Sequence, residues 1–186
     1  ISLGGTALSI SGAGAFASNV ILTKANAYVQ NSDLYSAGDI YIKSTNNATI
    51  EAKILAVSAA VSIAASGGIG ASIGLAIAQN VIGTGSDPVQ VQAYVLDSKL
   101  EAEDDIQIHA LSTQNIDAIV AAGSVAAAGG GIAGIGLAGA GASATNIITA
   151  HVRAYIDGDD PGATGGPSGI IADDLWLKAN DGSSID

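Results

Sequence analysis

The sequence predicts an all-β repeat protein, a repetitive β-solenoid of the parallel β-helix type with closely packed Ala/Gly-rich faces. Three observations carry this: an internal repeat, side chains that alternate with period two inside it, and an excess of small residues. The 186 residues include 36 alanines and 25 glycines against seven aromatics, so a core of large interlocking side chains is not expected. With 48% hydrophobic and only 12% charged residues, the chain is also too apolar for an acidic disordered tail.

The repeat is read from self-similarity. The string NVILTKANAYVQNSDLYSAGDIYIKSTNNATIEAKI, from Asn19 to Ile54, returns from Asn80 to Val120, and again from Asn146 as NIITAHVRAYIDG followed by DDLWLKA. An Ala-Tyr-aliphatic triplet marks each copy at Tyr28, Tyr94 and Tyr155. Tyr28 to Tyr94 and Asp39 to Asp105 are both 66 residues, and Tyr94 to Tyr155 is 61. Length changes are expected in the loops GTGSDP at 83–88 and GDDPGATGGPSG at 158–169, both rich in turn formers. The chain reads as one solenoid segment over 1–186 with approximate repeats 1–61, 62–127 and 128–186, part of something longer.

Each unit has two textures. Uncharged runs of Ala, Gly, Ser and aliphatics occupy residues 1–23, 54–82 and 118–150. Within them Ile69, Ile73, Leu75, Ile77 and Val81 fall at odd positions with Gly70, Ser72, Gly74, Ala76 and Ala78 between, the alternation of a strand. A face of Gly, Ala and Ser lets a second sheet approach closer than the ordinary spacing of about 10 Å. As transmembrane helices these runs are long enough, but the seven glycines of 129–141 each cost a helix about 1 kcal/mol, and no aromatic belt or Lys/Arg flank is present. Between the runs lie short strands such as AYVLDSKL and DDIQIHA, with Ile106 and Ile108 on one face and Gln107 and His109 on the other. Dividing 66 by three gives coils of about 22 residues for the solenoid. A competing arrangement is a stack of long antiparallel hairpins, Ile106 to Ala128 returning through Gly129–Gly131 as Ile132 to Ile156.

The strings SDLYSAGDIYIKS and SKLEAEDDIQIHA resemble the coil motif of filamentous-haemagglutinin-like exoproteins. The longer unit is similar to the repeats of leukotoxin-type large repetitive filamentous adhesins of Gram-negative bacteria. The resemblance spans nearly the whole chain and implies a right-handed β-helical rod, an extracellular or cell-surface location, and adhesion, host contact or surface coating. The acidic, Pro-containing insert at 157–167 departs from the pattern.

Chemistry is sparse. A net charge of −11 with six scattered cations disfavours nucleic acid and anionic membrane surfaces. His109 and His151 stand 42 residues apart without a carboxylate or cysteine at metal spacing, and read as solvated strand positions. No nucleophile elbow is present, and GGIGASIG at 67–74 lacks the Lys-Ser/Thr of a phosphate loop. Glu101, Glu103, Asp104 and Asp105, and Asp157, Asp159 and Asp160, could gather oxygens around Ca²⁺, but without the regular D-x-D-x-D-G spacing they read as solubilising turns. Trp176 takes the place of Tyr41 and Gln107 in the other units, which points it outward.

The expectation is therefore a structural repeat segment of a large secreted or cell-surface bacterial protein: an adhesin shaft, spacer or filament subunit, not an enzyme, with no catalytic, cofactor or metal residue assigned. Its partners would be neighbouring repeats of the same or an identical chain, and a host or cell-surface glycan or protein. The alternatives are a membrane-inserting toxin segment, which the composition disfavours, and a carbohydrate-binding or carbohydrate-processing β-helix, against which the few aromatics and the missing carboxylate pair argue.

Overall fold

The computed structural model describes residues 2–158 and 169–186, and they are all-β, with no helix among them. In chain order the strands are β1 (Ser2–Ile21), β2 (Lys24–Gln30), β3 (Asp33–Ser36), β4 (Ile40–Asn46), β5 (Thr49–Ile82), β6 (Val89–Leu96) and β7 (Lys99–Ala102). They continue as β8 (Ile106–Ser112), β9 (Asn115–Gly130), β10 (Ala133–Ile148), β11 (Ala150–Asp157), β12 (Ile170–Ile171), β13 (Leu175–Asp181) and β14 (Ser184–Ile185). The chain divides into two compact units, each taking one piece from every repeat. The repeat breaks expected after residues 61 and 127 fall inside β5 and β9.

The three-sheet unit contains residues 20–49, 81–115 and 147–186. Its sheets run β2-β6-β11, β3-β7-β12 and β4-β8-β13, all parallel. Each repeat thus supplies one layer of three strands, so the 66-residue period corresponds to a single layer, where dividing by three suggested coils of 22. Equivalent residues pair: Tyr28 with Tyr94 with Tyr155, and Ile40 with Ile106 with Leu175. The separation across the second pairing is 61 for Tyr94–Tyr155 and 69 for Ile106–Leu175, so the extra residues enter between β11 and β13. Most of that insert, 159–168 with Asp159 and Asp160, lies outside the described residues.

Alternation puts the apolar side chains of the middle layer inside. Val89, Val91, Val95, Leu100, Ile106 and Ile108 have no solvent exposure. Here the core is made of conventional branched aliphatics, contrary to the expectation from overall composition, because the Ala and Gly are concentrated elsewhere. The turn that follows β2, β6 and β11 requires a left-handed residue, and Asn31 (φ 47°), Asp97 (φ 46°) and Gly158 (φ 86°) supply it. These are the residue types that tolerate that region most readily.

The small-residue unit contains residues 1–19, 50–80 and 116–146. In it β5 folds back on itself near Ser66. The buried Ser58 and Ser72 hydroxyls lie 2.7 Å apart, whereas fourteen residues of straight strand would separate them by about 46 Å. One layer is the first half of β5 with β9, tied by the Gly131 N–H donating to the Ala65 carbonyl at 3.2 Å. The other holds β1, the second half of β5, and β10. β9 and β10 face each other across the layers while each pairs with β5, so the hydrogen-bonded hairpin of 106–128 with 132–156 does not form.

Between these layers the backbones touch. A Cβ added at Gly74 would stand 2.5 Å from the Gly123 carbonyl oxygen, at Gly70 3.0 Å from that of Ala127, and at Gly136 2.8 Å from that of Ala126. No side chain fits there. The interior holds Ala52, Ala56, Ala60, Ala76, Ala78 and buried serines together with Ile50, Ile54 and Ile116, and Ser62 donates to the Ala7 carbonyl at 2.8 Å. Most of the larger aliphatics point to solvent instead, including Leu55, Ile73 and Leu137.

The close approach makes a paired prediction. Gly74→Ala should lower stability by about 1–3 kcal/mol through overpacking, while Gly139→Ala, where nothing lies within 4 Å, should be neutral. Ala76→Asp, at a fully buried position, should abolish cooperative unfolding by burying an unpaired carboxylate. Thermal melts followed by circular dichroism report all three, and equal melting temperatures for the two glycine variants would sink the packed-face account.

Candidate functional site

The features that distinguish this chain are columns of equivalent side chains running from layer to layer. Parallel in-register pairing stacks identical residues at the strand spacing of about 4.8 Å, so any side chain that interacts well with its own kind is reinforced.

Two such columns are built. In the three-sheet unit the Tyr28, Tyr94 and Tyr155 rings stack with centroids 5.2 and 5.0 Å apart and planes within 9°. Their faces are engaged with one another, so the ladder offers a sugar mainly ring edges, the poorer surface for carbohydrate stacking. In the small-residue unit Asn19 Nδ2 donates to Asn80 Oδ1, and Asn80 Nδ2 to Asn146 Oδ1, each at 2.9 Å. Asn80 is fully buried, so these bonds satisfy an amide that would otherwise be left dry. Gln114 shows what happens without a matching neighbour. Its layer partners are Ala48 and Ser183, and its buried side-chain amide has no hydrogen-bond partner.

The outward columns are mixed. Trp176 pairs in register with Gln107, which pairs with Tyr41, and it is 59% exposed, as the repeat alignment expects. His109 stands between Lys43 and Lys178 in register and meets the Tyr41 ring edge-on at 6.0 Å. His151 is exposed beside Gln90, whose other neighbour is Lys24. The two histidines are not brought together.

The acidic residues of β7 and the turn after it are tied into contacts within the layer and between layers. Glu101 pairs with Lys99 of its own strand at 3.0 Å, while between layers Glu103 accepts from the Tyr35 hydroxyl at 2.7 Å and the Asp105 N–H donates to Asp39 Oδ1 at 3.0 Å. Asp104 contributes its carbonyl to the Asp173 N–H at 2.9 Å. Among the described residues no group of three His, Asp or Glu side chains converges as a metal site. The hydrogen bond to Glu103, then its negative charge, holds the Tyr35 phenol above the usual tyrosine range. Composition identified the acidic residues, but their engagement with the layers above and below depends on register.

Compared with known proteins, the chain matches no family model, no curated protein and no solved structure.

Asn80→Ala should cost about 2–3 kcal/mol, because it removes two buried hydrogen bonds and leaves two amides half paired. Chemical denaturation measures it, and a loss under about 0.5 kcal/mol would mean that the ladder contributes nothing. Glu103→Gln should return the Tyr35 phenol to the ordinary range, read as an earlier phenolate absorbance rise on alkaline titration. In the parent the Tyr35–Glu103 contact is intact below the ordinary tyrosine pKa of about 10 and is lost as pH rises through the higher folded value.

Proposed function

We propose that the chain is a structural repeat segment of a large secreted or cell-surface protein of the filamentous-adhesin kind, acting as shaft, spacer or filament subunit and carrying shape rather than catalysis. On this reading the layers of the three-sheet unit are coils of a parallel β-helix. Their partners are neighbouring repeats of the same or an identical chain, and the outward columns meet a host or cell-surface glycan or protein.

The observation that carries the reading is the residue-for-residue register of successive repeats. Each repeat adds one strand to every sheet, a rise of about 4.8 Å for some 66 residues. A polymer of this kind gains little reach per residue and much lateral surface, so spacer and surface-coat roles fit it better than long-distance extension. The tyrosine edges and Trp176 are the contact groups such a surface offers.

Membrane insertion is the second reading, favoured by the uncharged aliphatic outer face of the small-residue unit. Among the described residues no helix is long and apolar enough to cross a membrane.

Chains lengthened by one, two and three extra copies of residues 81–146 test the shaft. The expected result is a particle that grows by about 4.8 Å per copy in small-angle scattering, with stability rising at each addition. Growth in steps of a whole domain diameter, with unchanged melting temperature, would show separately folded units and end the proposal. Dye release from liposomes by the parent chain would turn the account to insertion.

A further inference from the structure

The outer face of β1, the second half of β5 and β10 is aliphatic, exposed and free of Asp, Glu, Lys and Arg. Its relief is regular. β1 lies 61 residues from β5 in register and β10 lies 66, as the asparagine column fixes. One row across the three strands reads Ile10, Ala71, Leu137, a hole between two ridges. The next row reads Gly12, Ile73, Gly139, a ridge between two holes. Ile10, Ile73 and Leu137 are 75%, 66% and 62% exposed.

From this relief we infer that the face is a self-complementary interface for a second copy of the chain, related by a twofold axis lying in the face across the strands between the rows of Ala71 and Ile73. That operation sets Ile73 of each copy over Ala71 of the other, between the ridges of Ile10 and Leu137. It sets Gly14 and Gly141 over Leu8 and Ile135. Large residues meet small ones along most of the face, the interdigitation that a packed sheet interface requires.

An independent feature lies at the far end of the same face. A cavity of about 460 Å³ is lined by Thr6, Leu8, Gly67, Ile69, Ala133 and Ile135, with nearly all of its wall apolar. The twofold carries Phe16, the only phenylalanine and 69% exposed, onto Thr6 of the other copy, at the mouth of that cavity. An exposed ring and an unfilled apolar cavity are thus placed to meet by the same operation that matches the ridges.

The size of the face sets the regime. Three strands of eleven residues give a footprint on the order of 500 Å² per copy, about 1,000 Å² for the pair, at the lower end of specific interfaces. Association belongs in the micromolar range. It should strengthen with salt, since two chains of net charge −11 repel while the buried face holds no charge to desolvate.

This inference is independent of layer stacking, which uses strand edges and grows without limit; face pairing stops at two copies. Sedimentation velocity over a concentration series is expected to show a monomer–dimer equilibrium of the 186-residue chain. Phe16→Ala and Ala71→Leu should each weaken it at least tenfold, and Leu55→Ser on the opposite outer face should leave it unchanged. All three positions are solvent-facing, and unaltered circular dichroism will certify the fold. A chain monomeric at several hundred micromolar in high salt, association indifferent to Phe16, or capture of the face by phosphatidylcholine vesicles in place of dimerisation would each overturn it.

Discussion

Backbone hydrogen bonding between equivalent residues of successive repeats is the constraint on which the rest depends. Once Tyr28 is paired with Tyr94 and Tyr94 with Tyr155, every other position in the β2-β6-β11 sheet is fixed in its column. Inward columns then hold aliphatic on aliphatic, and the middle layer loses all exposure at Val91 and Ile106. Outward columns hold whatever the repeats carry, so variation at Tyr41, Gln107 and Trp176 leaves the ladder intact. The same constraint explains where length varies. Residues gained or lost inside a strand would shift every column beyond it, whereas the loop 83–88 and the segment between β11 and β12 absorb changes without cost to register.

The two units solve the burial problem in opposite ways. The three-sheet unit buries its branched side chains. In the small-residue unit the layers come so close that carbonyl oxygens occupy the space a side chain would need, as Gly74 against Gly123 illustrates. Backbone-to-backbone contact of this kind gains dispersion energy and excludes water with almost no side-chain entropy to lose. It also forces the larger half of the alternation outward, which is why this unit presents Ile73, Leu137 and Phe16 to solvent. An exposed aliphatic sheet is an interaction surface, and a second copy of the chain is the partner proposed for it.

Polar side chains within the stack are governed by matching. Asn80 is satisfied because asparagine stands on either side of it, each amide donating in one direction and accepting in the other. Gln114, equally buried, has alanine and serine as neighbours and stays unpaired. A buried amide in such a fold is an asset only when the repeat preserves it.

By itself the sequence determined the repeat, its 66- and 61-residue spacings, the strand alternation and the outward place of Trp176, because each is set by local conformation or by comparison of the chain with itself. Tertiary structure decided how many strands make a layer, that β5 folds back near Ser66, and which half of the alternation is buried. Period two says only that alternate residues face opposite ways. Whether the glycine face or the isoleucine face turns inward depends on how closely a second backbone can approach, and that is a property of two segments far apart in the chain.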